Sequence, residues 1–366
     1  MRLLVGDDRA DIREALRLLF KSAGHQAETV DSPQGLLGAL ERHPFDLILM
    51  DMNYARDTTS GREGIELLTR LRAQDPAAGV IVMTAWGNID LAVEAMRLGA
   101  SDFIQKPWDN RRLLDTVEQQ AQKAAARRSA GADLEAARRL QQRLLPTQQT
   151  KTLETLDYCG RFVPAGEVGG DYYDFLDLGP GRLGIVLADA SGKGVAGAML
   201  MATLRGLLLG RADAPWRPAS LAAGVNRAIY RSTPAEQYVS LFLGEYDDRT
   251  RRLGYVNCGH PAPLLRRRSG RVERLEASAV AVGLFPELSC VEAEVILQSG
   301  DTLVLYSDGV VEAGIDQGAE FGEERLLGLL RDAAGEPIER AVDRVVEAAR
   351  AAGQTDDITV AGLRAR

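Results

Sequence analysis

No apolar run in this 366-residue chain approaches the roughly 20 residues that span a bilayer. The opening Met1–Val5 stretch passes straight into Gly6-Asp7-Asp8, an apolar run too short for the central region of a signal peptide. No membrane association is therefore expected. Cysteine is scarce: Cys159, Cys258 and Cys290 are odd in number and lack Cys-x-x-Cys spacing. Reduced thiols and a cytoplasmic location are the expectation. Positive charge is in deficit, with 44 Lys and Arg against 52 Asp and Glu and a net charge of −8, which argues against a nucleic-acid backbone as the main partner. The hydrophobic share of 45% and charged share of 26% are ordinary for a globular protein, and the length suggests two or three domains.

What the chain does have is aspartate set beside glycine at the ends of apolar runs. Gly169-Gly170-Asp171-Tyr172-Tyr173-Asp174-Phe175 opens one such run, and Ile185–Ala188 delivers Asp189 into Ala190-Ser191-Gly192-Lys193-Gly194. Asp308 follows in Tyr306-Ser307-Asp308-Gly309, and Asp356-Asp357 in Thr355–Thr359. Mg²⁺ and Mn²⁺ take oxygen ligands and glycine lets backbone come close, whereas zinc prefers His or Cys. In order and spacing these four runs resemble the PPM-type metal-dependent protein phosphatases, in the bacterial SpoIIE-like branch, over residues 140–366.

That resemblance implies an α+β layered sandwich of two sheets flanked by helices. It implies two ions (Mn²⁺ or Mg²⁺), with Asp189 bridging them and the Ala190 carbonyl on the first. Asp171 would bind the first ion directly or through water, and Asp308 and Asp356 the second. Asp174 and Asp357 would support these ligands from outside. Two ions about 4 Å apart share and activate a water for in-line attack on phosphorus. His260 has two readings, a general acid or a structural histidine, and the structural one is favoured. Lys193 is read equally as a phosphate contact or as a solvated loop lysine. Cys258 is excluded as a tyrosine-phosphatase nucleophile, because Cys-x5-Arg chemistry finds Leu264 at the matching position.

Residues 2–118 follow a different pattern, five short apolar strands alternating with five amphipathic helices, which reads as an α/β doubly wound five-stranded parallel sheet. In such sheets reactive residues lie at the carboxyl ends of strands. Asp7 and Asp8 follow the first strand, Asp51 the third, Thr84 the fourth and Lys106 the fifth. This resembles the receiver domain of two-component response regulators. The resemblance implies that Asp51 accepts a phosphoryl group from a histidine kinase. Mg²⁺ would be held by Asp8, Asp51 and the Asn53 carbonyl with Asp7 assisting, and Thr84, Phe103 and Lys106 would form the switch. The segment from Met52 to Gly61 departs from the receiver pattern in being longer and lacking proline.

Between these halves helix-forming residues run to Leu145, and Pro146 ends them. Leu113, Val117 and Ala121 make one apolar stripe, and Leu134, Ala137, Leu140, Gln141 and Leu144 another, with Ser129-Ala130-Gly131 interrupting and Asp133 placed to cap the second piece. So narrow a stripe suits pairing with a partner helix, hence a homodimer through a coiled coil. The expected organisation is a receiver at 1–118, a helical linker at 119–147 and a phosphatase domain at 148–366. The expected function is a phosphorylation-regulated serine/threonine protein phosphatase. By resemblance to the branch, its substrate is an STAS-type anti-sigma-factor antagonist. The alternative is a non-catalytic adaptor with a degenerate phosphatase fold. Asp171, Asp189, Asp308 and Asp356 are all present, which speaks against degeneration. A nucleotide-cyclase reading of Gly169-Gly170-Asp171 fails, since Tyr172 stands where an acidic residue is required.

Overall fold

The structure is a computed structural model and describes residues 1–54, 61–84, 89–146, 151–211 and 216–366, with only the backbone of Ile89. Two compact units result, Met1–Asp133 and Leu134–Arg366. The first contains β1 (Arg2–Gly6), α1 (Ala10–Ser22), β2 (Gln26–Val30), α2 (Pro33–Arg42), β3 (Leu47–Asp51), α3 (Arg62–Gln74), β4 (Gly79–Thr84), α4 (Ile89–Arg97), β5 (Asp102–Gln105) and the start of α5 (Asn110–Leu144). Its sheet is parallel throughout, in the order β2-β1-β3-β4-β5.

The three central strands are buried nearly end to end, as continuous apolar runs require when helices cover both faces. Alternation sends Leu3, Val5, Leu47 and Leu49 toward α1 and α5, and Leu4, Ile48 and Met50 toward α2, α3 and α4. This is the doubly wound receiver fold. It collects Asp7, Asp51 and Thr84 at one edge of the sheet because each follows or ends a parallel strand.

The helix that joins the units corrects the sequence reading in two ways. Ser129-Ala130-Gly131 does not interrupt it: α5 is one 35-residue helix, so Asp133 has no helix start to cap. A mid-helix glycine costs only about 1 kcal/mol relative to alanine, too little to end a run rich in good helix formers. The stripe of Leu113, Val117 and Ala121 is also not free for a partner helix, because it is buried in the core of the first unit. Further along, Arg128 donates to the Phe45 carbonyl at 2.9 Å and pairs with Asp75 at 3.3 Å.

The second unit is built from β6 (Lys151–Thr152), β7 (Leu156–Val163), β8 (Asp171–Asp177), β9 (Arg182–Ala190), α6 (Val195–Leu209), α7 (Pro218–Ser232), β10 (Val239–Asp247), β11 (Arg252–Cys258), β12 (Leu264–Arg266), β13 (Val272–Arg274), β14 (Ala293–Ile296), β15 (Thr302–Tyr306), α8 (Asp308–Val311), α9 (Gly322–Asp332), α10 (Ile338–Gly353) and β16 (Ile358–Ala365). Two antiparallel sheets, β14-β11-β10-β9-β8 and β13-β12-β15-β16-β7-β6, face each other across Tyr173, Ile185, Leu187, Phe242, Leu303, Leu305 and Leu363. Helices α6 and α7 cover the outer face of the first sheet, and α9 and α10 that of the second. The short α8 and the two-residue β6 carry no periodicity, and the sequence offers no signal for either.

Candidate active site

At the mouth of the first unit Asp7 is fully buried, Asp51 nearly so and Asp8 half-buried, and their carboxylate oxygens lie within 4.8 Å of one another. Lys106 reaches between them, its Nζ donating to Asp7 Oδ2 at 2.6 Å and to Asp51 Oδ2 at 2.7 Å. The other Asp51 oxygen accepts the Met52 N–H at 2.8 Å. Burial raises the Asp51 pKa, and the Lys106 ammonium opposes that rise. Thr84 is buried at the end of β4, and its carbonyl accepts the Lys106 N–H at 2.8 Å. Phe103 stands 47% exposed on β5. Asn53 is half-buried. Most of the longer segment after Asp51, Ala55–Ser60, lies outside the described residues.

In the second unit the acidic points come from four separate segments. Asp171 and Asp189 are register partners across β8 and β9. Asp308 opens α8, and Asp356 lies just ahead of β16. Burial first, then the charge of Asp189, holds Asp171 far above the ordinary carboxylate range, although the Thr359 hydroxyl donates to its Oδ2 at 2.5 Å. Burial, with Asp308 and Asp356 adding to it, pushes Asp189 up to about 7. Asp308 is raised by burial and by Asp356. A set of carboxylates that raise one another's pKa is short of positive charge. Lys193, 80% exposed, supplies only a contact to Asp356 at 3.2 Å. The cleft, about 340 Å³, is lined by Asp189, Ala190, Asp356 and Asp357, the Ser191–Gly194 loop and the 165–170 segment.

The donor set fits a hard cation. All the side-chain donors are carboxylate oxygens, the ligand type that Mg²⁺ and Mn²⁺ take. Gly170 also fits: a Cβ there would stand 2.6 Å from the Ala190 carbonyl oxygen, so only glycine leaves that carbonyl open.

The two aspartates expected to support the ligands from outside differ in where the fold puts them. Asp174 is on the opposite face of β8 from Asp171; it accepts from the Tyr172 hydroxyl at 2.8 Å and lies 4.0 Å from Arg205. Asp357 turns to backbone instead, accepting N–H from Ala165 at 2.8 Å, Gly170 at 2.7 Å and Asp171 at 3.4 Å. It thereby sets the height of the Gly169–Asp171 segment. Replacing it by alanine leaves these donors without a partner, and each buried donor so orphaned costs about 1–3 kcal/mol. Asp357→Ala is expected to lower the urea midpoint of the metal-free protein clearly and to weaken Mn²⁺ binding by tenfold or more in calorimetry.

His260 is 3% exposed, its Nδ1 bonded to the Ser240 hydroxyl at 2.8 Å, and burial pushes its pKa down to about 3. Burial thus disfavours its protonated form. Burial pushes the Cys258 thiol up to about 12, so it is not a thiolate nucleophile. Three supporting residues escaped the sequence reading. Thr359, the second residue of β16, meets Asp171 through its hydroxyl. Ser307 takes the Thr359 N–H at 3.0 Å and donates to the Asp357 carbonyl at 3.1 Å. Gln141, the one polar member of its stripe, forms a two-way amide pair with Gly169, donating to its carbonyl at 2.6 Å and accepting its N–H at 3.1 Å.

Residues 179–366 match the family of stage II sporulation protein E (SpoIIE), more than half of the chain. The chain belongs to the SpoIIE family. This SpoIIE-family chain also carries a response regulator receiver domain over residues 3–118. It is similar to the response regulator protein FleR of Pseudomonas aeruginosa, 44% identical over 119 residues, which is 32% of this chain and 24% of that protein. It is similar to the phosphoserine phosphatase RsbU of Bacillus subtilis, 27% identical over 187 residues, 51% of this chain and 55% of that one. The solved SiaA-PP2C domain of Pseudomonas aeruginosa superposes with a TM-score of 0.57 at 25% identity, over 66% of this SpoIIE-family chain and 99% of that domain. The chain thus spans only about a quarter to a half of these two curated relatives' length.

Proposed function

We propose that this chain is a metal-dependent phosphatase for phosphoserine or phosphothreonine on another protein, regulated by phosphorylation of Asp51 in its own receiver domain. The observation that supports it most is the crowding of Asp171, Asp189, Asp308 and Asp356, whose charges raise one another's pKa, while the exposed Lys193 offsets only part of this from its contact with Asp356. Such a cleft repels a phosphomonoester until cations fill it. Bound Mn²⁺ or Mg²⁺ supplies water activation and neutralises charge developing on phosphoryl oxygens.

In this reading Asp189 is the shared ligand, with Asp171 and the Ala190 carbonyl on one side and Asp308 and Asp356 on the other. Thr359 orients Asp171, and Asp357 and Gln141 hold the glycines before it. Lys193 sits at the entrance, where it can meet substrate phosphate. In the receiver, Asp7, Asp8, Asp51 and the Asn53 carbonyl would hold Mg²⁺, with Lys106, Thr84 and Phe103 as the switch and a histidine kinase as phosphoryl donor. The substrate we favour is a serine-phosphorylated STAS-type anti-sigma-factor antagonist. Helix α5 offers the route of regulation, since it begins in the receiver and its final turns carry Gln141 to Gly169. Pairing of two copies belongs on the stretch around Leu140, which stays 60% exposed.

Hydrolysis of p-nitrophenyl phosphate and of a serine-phosphorylated STAS protein tests this. Activity is expected with Mn²⁺ and not with EDTA, and BeF₃⁻ is expected to change it in the native chain but not in Asp51→Asn. Absence of turnover under every condition sinks the enzyme reading. Equal turnover with and without BeF₃⁻ sinks the regulation.

A further inference from the structure

Exposed apolar side chains gather at one rim of the candidate active site. Ser191, which starts the cleft loop, is hydrogen-bonded to Tyr238 in both directions: the Ser191 N–H donates to the Tyr238 carbonyl at 2.9 Å, and the Tyr238 N–H donates to the Ser191 hydroxyl at 2.8 Å. Tyr238 itself is 40% exposed. The segment that follows residue 279 is stitched alongside, Val239 and Val282 bonding to each other in both directions at 2.9 Å. Gly283 lies against the Tyr238 backbone, where a Cβ would come 3.5 Å from its Cα. Asn226 of α7 pins the end of this segment, accepting the Gly283 N–H at 2.8 Å and donating to the Phe285 carbonyl at 3.0 Å. The result is a held surface that presents Tyr238, Val280, Leu284 and Phe285 to solvent, the last 56% exposed.

Distance decides what would cover it. Asp189 pairs with Ser240 in the ladder, so Tyr238 stands one strand over and two residues along. With strands about 4.8 Å apart and about 3.4 Å per residue, that is about 8 Å from the ligand aspartate. A standard protein interface covers about 800 Å² per partner, a disc of about 16 Å radius. A folded protein seated with its phosphoserine at Asp189 therefore covers this rim, and a small phosphomonoester never reaches it. Aromatic side chains such as Tyr238 and Phe285 are enriched at protein interfaces, and contiguous exposed apolar surface marks interaction sites.

We propose that Tyr238, Val280, Leu284 and Phe285 form the docking surface for the substrate protein, a folded phosphoserine protein whose phosphorylated residue is ringed by apolar side chains. This rests on the phosphatase reading above. Selectivity would then come from this rim and not from the metal-lined cleft, which sees only the phosphoryl group.

The test uses the full chain with three probes: p-nitrophenyl phosphate, the folded serine-phosphorylated STAS protein, and a short phosphopeptide cut from it. The variants are Tyr238→Ser combined with Phe285→Ser, and separately Val280→Glu, each checked by circular dichroism. Expected are unchanged turnover of p-nitrophenyl phosphate and at least a tenfold fall in kcat/KM for the folded protein, carried by KM. The native chain should also prefer the folded protein over the phosphopeptide by a hundredfold or more. Unaltered kcat/KM in both variants overturns the proposal, as does equal use of peptide and folded protein. So does a variant that converts a dimer to a monomer in light scattering while leaving kcat/KM intact, since the rim would then join two copies. A native chain that hydrolyses p-nitrophenyl phosphate but not the folded probe refutes this docking partner alone. A native chain inert toward p-nitrophenyl phosphate refutes the phosphatase reading itself.

Discussion

Asp189→Asn is expected to lower Mn²⁺-dependent hydrolysis of p-nitrophenyl phosphate by about a thousandfold or more, equivalent to about 4 kcal/mol of transition-state stabilisation, and at the same time to raise the melting temperature of the metal-free protein. Both effects follow from one cause. Asp189 is the carboxylate that Asp308, Asp356 and Asp357 all crowd electrostatically, and it faces Asp171 directly across the ladder. Burial and these neighbours raise its pKa to about 7, and a carboxylate whose folded pKa lies above its unfolded value costs stability once the pH passes that unfolded value. Removing the central charge relieves part of this, and about 1–2 kcal/mol translates to about 2–8 °C in a unit of this size. In millimolar Mn²⁺ the order should reverse, because the native chain gains stability by binding metal and the variant does not. Scanning calorimetry of both proteins in EDTA and in Mn²⁺ reads the crossing. A variant that keeps metal-dependent turnover, or that is less stable than the native chain in EDTA, would show that Asp189 is not the shared ligand.

Lys106→Met has the largest expected effect in the receiver. Lys106 is the cation set between two buried carboxylates, and its side chain is only 16% exposed. Methionine keeps the length and apolar stem but leaves Asp7 and Asp51 facing each other without a cation. Breaking a buried ion pair from one side costs about 3–5 kcal/mol, because the stranded charge stays desolvated. Hydrogen exchange in β1 and β3 of the full chain should accelerate correspondingly, by about two to four powers of ten if those amides exchange through opening of the unit. Mg²⁺ should recover part of the protection in the variant, since a divalent ion bound by the triad replaces the lost charge. Exchange rates within threefold of the native chain would mean that the ammonium does not neutralise this pair in solution.

Much of the receiver site was legible because a parallel sheet covered on both faces leaves a plain trace. Leu3–Val5, Leu47–Met50 and Val80–Met83 are continuous apolar runs, and the polar residue that ends each run must lie at the carboxyl edge. In the second unit, glycine beside aspartate was the readable signal. Gly170 has a reason to be glycine in the Ala190 carbonyl, and Gly309 in the close approach of the Asp357 backbone.

By itself, then, the sequence determined the parallel sheet of the first unit and the mixed α and β character of the second, whose sandwich followed from the family resemblance, together with the aspartates set beside glycine at the ends of apolar runs. These depend on local periodicity and on residue chemistry. Only the tertiary structure decided where each face points and what covers it. Leu113, Val117 and Ala121 show an apolar stripe whose 3.6-residue period is equally good for a partner helix or for the unit's own sheet, and packing chose the sheet. Asp174 and Asp171 read alike in sequence, yet the pleat sends them to opposite faces. The amide pair of Gln141 with Gly169 joins residues 28 apart, and the Asp357 clamp on Gly170 joins residues 187 apart. Hydrogen bonds of that span leave no local pattern, because the chain between them carries no information about where its ends meet.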